Sequence, residues 1–194
     1  MTQWSGLAPA FCLQTLNHEL FSLVMPEPTE HGFLAKLDGS NLQGFIQNVR
    51  GHAGELTLEI KQDDVVEVLR TLKLQYDFAY LADIVTVDHY TDERRFEVAY
   101  NLVSITNRQR LRISVFVEEG DPSLPSIVDL WAGAAWFERE AFDMMGIRFE
   151  GNPDLRRIYM PEDFAWYPMR KEFPQLGIPG SIELPEKDPP KPYK

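Results

Sequence analysis

The stretch "WFEREAFDMMGI", Trp136 to Ile147, sets Glu138, Arg139, Glu140 and Asp143 among large apolar side chains. Carboxylates in apolar surroundings supply general acids, general bases and metal ligands. Two carboxylates that work as a pair must converge on one point. At 100° per residue, Ile127, Trp131, Ala134, Ala141, Phe142 and Met145 share one helix face, and Glu138 lies among them. Glu138 and Glu140 then diverge by about 200° and cannot form a pair. Arg139 and Asp143, four apart, read as an ordinary surface ion pair. A carboxylate at Glu138 must be paired, protonated or functional. Catalysis needs a second converging group and a pocket, and the sequence offers neither. The better reading ties a buried Glu138 to an arginine, Arg112 or Arg156. Trp131, Trp136 and Met144 read as core, although Trp136 falls on the polar face, where a partner can meet it.

A second constellation lies downstream. "DLRRIYMPEDF" and "YPMRKEF" place Arg156, Arg157, Arg170 and Lys171 beside Tyr159, Phe164, Trp166, Tyr167 and Phe173. Arginine and aromatic residues are enriched where partners dock, so this set reads as an interface rather than as solvated charge.

The elements that carry these residues follow from periodicity. Leu42, Phe45, Ile46 and Val49 recur at helical spacing behind a Ser40/Asn41 cap, until Gly51. "ELTLEI" alternates as a strand, with Leu56, Leu58 and Ile60 on one side. Asp64 and Glu67 form a D-x-x-E pattern opening a helix whose Val65, Val68, Leu69 and Leu72 share a face. "YLADIVTVD", "RFEVAYNLV" and "RLRISVFVE" read as three further strands, joined by short polar links that suit antiparallel hairpins. Ser126 is placed to cap a helix running toward Gly146. The fold class is α+β: a small antiparallel β-meander packed against helices, over residues 41–150. Nine of the 14 prolines fall between Pro153 and Pro192, and residues 151–194 read as an extended, proline-rich, partner-binding C-terminal arm. At "NPDLRR" Asn152 caps a turn with Pro153 in its first position. Before residue 40, "MPEPTEHG" reads as a loop at the centre of a hairpin. With few internal bonds of its own, the arm is expected to lie across a partner and to be mobile in the isolated chain.

Composition excludes several functions. The 194 residues carry a formal net charge of -11, which argues against nucleic acid. The longest apolar run, "FAYLADIVTV", is too short for a bilayer and contains Asp83. No secretory or mitochondrial leader is visible, which makes the chain cytoplasmic by default. A single cysteine, Cys12, cannot hold an iron–sulfur cluster, and His18, His31, His52 and His89 lack zinc-ligand spacing. There is no G-x-G-x-x-G, phosphate loop or G-x-S-x-G, so no cofactor is expected in this chain.

The stretch "WFEREAFDMMGIRFEGNPDLRRIYMPEDFAWYPMRKEFP" resembles the signature of the C-type, or 30 kDa-type, subunit of the proton-pumping NADH–quinone oxidoreductase, respiratory complex I. That signature runs E-R-E-x-x-D, then G-I-x-F-x-G-H-P-x-L-R-R, then G-x-P-L-R-K-D-Y. "FAYLADIVTVDHY", "FEVAYNLVSI" and "DPSLPSIVDLWAGAAW" fit the family's upstream pattern, and the resemblance spans about residues 50 to 175. Residues 1–40 then form a lineage-specific extension. Asn152 stands where the family usually has histidine; "AWYPMRKEF" keeps Pro168, Arg170 and Lys171. The resemblance implies a cofactor-free structural subunit on the cytoplasmic face of the bacterial inner membrane. It would pack against the large quinone-site subunit, with FMN, iron–sulfur clusters and quinone held by neighbours. It makes Glu138, Arg139, Glu140, Asp143, Arg156, Arg157, Trp166, Arg170 and Lys171 structural or interface residues. The alternatives are the equivalent subunit of a ferredoxin-linked quinone oxidoreductase or membrane-bound hydrogenase, and a stand-alone acid/base enzyme using Glu138.

Overall fold

Alternation of apolar residues produces the sheet. Leu56, Leu58 and Ile60 of one strand, Phe96, Val98, Tyr100 and Leu102 of another, and Leu111, Ile113, Val115 and Val117 of a third are all buried. They face the apolar stripe of a helix, Val65, Val68, Leu69 and Leu72. The computed structural model describes Phe33, residues 40–52, 54–90, 94–178 and Gly180. The hairpin expected around "MPEPTEHG" and the end of the arm lie outside these residues. In chain order the elements are β1 (Ile46–His52), β2 (Glu55–Ile60), a 3-10 turn (Gln62–Asp64), α1 (Val65–Gln75), β3 (Tyr80–Asp88), β4 (Phe96–Ser104) and β5 (Gln109–Val117). Then come β6 (Ser123–Pro125), α2 (Ala134–Met145) and β7 (Arg148–Glu150).

The α+β class holds, and β3, β4 and β5 form the expected antiparallel meander. The sheet as a whole is mixed. Its order is β1-β2-β5-β4-β3, and β5 runs parallel to β2. The reason is α1, which carries the chain across the sheet to the far edge. From there two hairpins bring β5 back beside β2. β6 and β7 pair separately, in parallel, and are too short for any periodic signal.

Three local expectations are corrected. Residues 42–49 do not form a helix: a turn closes with the Phe45 amide on the Leu42 carbonyl at 3.0 Å, and β1 follows. An isolated helix that short is marginal, whereas the hairpin with β2 satisfies a full ladder. Asp64 sits at the N-terminus of α1 without a side-chain cap, because the preceding 3-10 turn keeps its backbone helical. Ser126 does not cap α2, which starts only after turns spanning 127–133.

Within the arm, residues 157–172 are tied to the chain's own domain. The Met169 amide donates to the Met144 carbonyl (3.1 Å), Arg170 Nε to the Met145 carbonyl (2.7 Å), and the Lys171 amide to Asp88 Oδ2 (2.8 Å). Phe164 is buried. The prolines do preclude ladders, but polar groups of the chain's own domain offset the lost bonds one at a time.

The arm's return depends on Gly146. Its φ of 77° ends α2 in the left-handed region, with its amide on the Phe142 carbonyl. A Cβ there would stand 2.6 Å from the Tyr167 ring and 2.7 Å from the Arg170 guanidinium. Gly54 has a similar φ of 82° with nothing within 4 Å. Gly54→Ala is expected to cost about 1–2 kcal/mol, the left-handed penalty alone. Gly146→Ala should cost that plus roughly another 1–3 kcal/mol of overpacking. Denaturant unfolding of the two variants checks this, and equal losses would refute the close packing of the arm.

Candidate functional site

The charges of α2 are mostly buried. Glu138 has no exposed surface. One oxygen accepts the Ile127 amide (2.8 Å); the other accepts the Ser126 hydroxyl (2.7 Å) and the Asn152 side-chain amide (2.8 Å). The expected arginine is not its partner. Arg112 lies on the sheet, bound to Asn101 and Glu55, and Arg156 is exposed beside Asp154. Loop amides and a hydroxyl satisfy a carboxylate as a cation would, and helical periodicity cannot register them. Burial pushes the Glu138 carboxyl above its ordinary 4.5, against the three donors that hold it down. Tyr100 is fully buried, and its hydroxyl has no hydrogen bond among the described residues. Burial first, and the Glu138 charge second, push that phenol up.

Arg139 and Asp143 are not a surface pair. Asp143 is sealed and receives the arm: its Oδ2 accepts the amides of Ile158 (3.0 Å), Tyr159 (2.6 Å) and Met160 (3.0 Å). Its Oδ1 accepts Arg157 Nη1 at 2.7 Å. Burial opposes this carboxylate, but the three amides and Arg157 outweigh it and hold it below the ordinary 3.8. Arg139 donates to the carbonyls of Arg156 (3.1 Å) and Arg157 (3.2 Å) and stacks on Trp136 at 5.0 Å. The i, i+4 pair loses to an arm that returns along the same face.

The remaining expected residues divide in the same way. Arg157 also donates to the Phe164 carbonyl at 2.6 Å. Arg170 lies between the rings of Phe96 (5.0 Å) and Tyr167 (4.5 Å). Lys171 contributes its backbone amide rather than its charge. Trp166 packs edge-on to Phe164 yet stays exposed, as does Glu140. One anchor escaped the sequence altogether. Arg95, buried, meets Asp88 through two bonds at 3.1 Å and also pairs with Glu119 and Glu172. Its partners are scattered along the chain, and the only signal was a charge at each end of an apolar strand pair.

This arrangement binds segments together. Two surface hollows, about 250 and 490 Å³, are lined by the open face of the sheet and by the arm between residues 168 and 177, and no α2 residue lines either. Outside, Trp136, Tyr159, Trp166 and Met169 present apolar surface along α2 and the arm. Trp136, expected in the core, is more than 60% exposed because it lies on the polar face of α2, and Tyr159 is also more than 60% exposed.

Asp143→Ala should therefore cost about 3–5 kcal/mol, because it strands Arg157. Since the folded carboxyl titrates below 3.8, its stabilisation is complete above that value and is lost as pH falls through the folded value. Glu138 acts oppositely: its contribution declines as pH rises past 4.5. Denaturant midpoints between pH 2 and 7 test both signs. An unchanged midpoint in the variant, or an acid-side loss as large as in the parent chain, would overturn the assignment.

The comparisons with known proteins agree with this architecture. A family model described as "Respiratory-chain NADH dehydrogenase, 30 Kd subunit" matches residues 58–178. A C-type NADH-quinone oxidoreductase subunit of Rhizobium meliloti (strain 1021) is 45% identical over 138 residues, covering 69% of this chain and 74% of its own. Its counterpart in Cupriavidus pinatubonensis is 42% identical over 153 residues, 74% of this chain and 75% of its own. Among solved structures, a trypsin-resistant fragment (1–134) of Nqo5 superposes with a TM-score of 0.56 at 35% identity, covering 63% of this chain and 98% of the fragment. A chain of the membrane-bound sulfane sulfur reductase, an archaeal respiratory membrane complex, shares the fold at a TM-score of 0.66 and 21% identity, over 77% of this chain and 88% of its own. Among the described residues no helix is long and apolar enough to cross a membrane. The E-R-E-x-x-D helix thus lies in a family whose members are built into a membrane-associated respiratory complex, and the chain belongs to the 30 kDa subunit family of the respiratory-chain NADH dehydrogenase, the C-type subunits of NADH-quinone oxidoreductase.

Proposed function

We propose that this chain is a non-catalytic structural subunit holding no cofactor of its own, in the peripheral arm of complex I on the cytoplasmic face of the bacterial inner membrane. It supports electron transfer from NADH to quinone coupled to proton translocation. FMN, iron–sulfur clusters and quinone sit in neighbouring subunits, and the large quinone-site subunit is its principal partner. The observation that carries this reading is the use made of the α2 charges. Glu138, Arg139 and Asp143 spend their hydrogen bonds on the chain's own loops and arm, leaving Glu140 facing outward. A general acid or base must reach a substrate, and Glu138 has no exposed surface.

The docking face is the exposed strip of Trp136, Tyr159, Trp166 and Met169 with Glu140. Its aromatic residues ride on a frame already rigidified by Asp143 and Arg157, so little ordering entropy opposes docking. On this reading the bonds of Asp143 and Arg157 prepare the interface before the partner arrives.

The variant carrying Trp136→Ser, Tyr159→Ser and Met169→Ser tests the proposal. These exposed changes should alter unfolding free energy by no more than about 1 kcal/mol. The same variant should be absent from the membrane-associated complex, read by native gel and mass spectrometry. Wild-type incorporation would refute the docking face. A visible absorbance band or NADH turnover in the purified isolated chain would refute the cofactor-free, non-catalytic role.

A further inference from the structure

One face of the sheet is covered by the core and by α1; the other faces outward and mixes polar residues with apolar ones such as Tyr80, Val85 and Val103. On that outer face, Tyr80, Val103 and Arg110 stand side by side across β3, β4 and β5. The next row is Asp83, Asn101 and Arg112. A hollow of about 250 Å³ lies over both rows, lined by Glu55, Asp83, Asn101, Val103, Arg110 and Arg112. Arg108 is exposed in the adjoining turn, with a left-handed φ of 52°. The sequence "RQRLR" thus gathers three guanidinium groups at one end of this face.

Their pairing is incomplete. Arg112 donates to Asn101 (3.0 Å) and to Glu55 (3.1 Å), a pair with both side chains more than 40% exposed. Among the described residues the guanidinium groups of Arg108 and Arg110 have neither a hydrogen bond nor an ion pair. In a chain of formal charge -11 a carboxylate partner for every arginine is plentiful. Beside the two free arginines, Tyr80 is 56% exposed. Arginine and tyrosine on a firm sheet surface are the residue types that anchor protein interfaces. Three arginines on an otherwise acidic chain are too few for a nucleic acid duplex.

We propose that this patch is a second docking surface, taking an extended acidic segment of a neighbouring protein. Arg110 and Arg112 are two residues apart on one strand, about 7 Å, the spacing of side chains at i and i+2 in an extended peptide. A segment with carboxylates at those positions meets both guanidinium forks while an adjacent apolar side chain lies on Tyr80 and Val103. The patch sits where β4 ends and β5 begins. The arm is anchored at Asp88 and Arg95, where β3 ends and β4 begins. The arm's anchor and the patch are therefore at opposite ends of the sheet, and through them the subunit would bridge two neighbours. This inference is independent of the docking face on α2 and the arm.

The test places a photo-crosslinking phenylalanine analogue at position 80 of the full chain, and separately at 166, in cells that assemble the complex. The expected result is a crosslink from position 80 to a neighbouring protein within about five residues of two carboxylates. Arg108→Glu with Arg110→Glu should reduce it at least tenfold while the crosslink from 166 persists. An unchanged thermal midpoint of the purified double variant separates this from unfolding. No crosslink from 80, a crosslink to a neutral or basic segment or to a second copy of this chain, or insensitivity to the charge reversal overturns the proposal. So does co-sedimentation of the chain with phosphatidylglycerol vesicles that the double variant loses, since the patch would then be a membrane contact. Loss of the crosslink from 166 alone bears on the arm face and leaves this patch standing.

Discussion

The stretch of the arm over residues 157–160 depends on one carboxylate that water does not reach. Asp143 is sealed on α2, and a buried carboxylate is tolerable only if each oxygen finds donors. Three consecutive amides and a guanidinium supply them, all from the arm. The route of residues 157–160 is therefore set by the lone pairs of a single side chain. A proline-rich segment suits this arrangement. With no ladder to satisfy, it can be held at discrete points, and an irregular backbone can turn successive N–H groups toward one oxygen.

The second constraint is steric. Gly146 lets α2 end in a left-handed residue and leaves room for the Tyr167 ring and the Arg170 guanidinium directly above it. Arg170 then reaches the Met145 carbonyl, one of those a helix leaves unsatisfied at its C-terminus. A little further along, the Lys171 amide and Glu172 close on the Asp88–Arg95 pair. Burial works against Asp88, but the Arg95 guanidinium and the amides of Lys171 and Tyr90 hold its carboxyl below its usual value. Helix, sheet and arm are thus tied by charge-assisted bonds, each stronger than a neutral one.

These two constraints explain why charges that look catalytic have an architectural use. Glu138 differs from Asp143 in having no cation, and burial raises its carboxyl rather than lowering it. It still joins three segments: α2, the loop at Ser126 and Ile127, and the turn at Asn152. The exposed aromatic side chains of α2 and the arm thus stand on segments tied to the domain by internal bonds.

Period-two alternation in 55–60, 96–104 and 109–117, and the 3.6-residue stripe of 65–72, were legible because each side chain there answers to one question, core or water. The same reasoning found Glu138 inside, and the E-R-E-x-x-D and L-R-R stretches carried the family. Periodicity reports a face, and partners across long sequence separations are another matter. That Ile46 and Val49 belong to a strand was decided by β2 lying alongside. That β5 runs parallel to β2 was decided by the path of α1 across the sheet. Asp143 was assigned to the surface because helical spacing assumes water beyond the polar face, and tertiary structure put the arm there. The sequence by itself determined which residues are apolar, how they repeat and what family they spell. Only the folded chain decided which donor meets which acceptor, because hydrogen bonds and ion pairs are chosen by proximity in space, and the pairs that matter here lie from 7 to 83 residues apart.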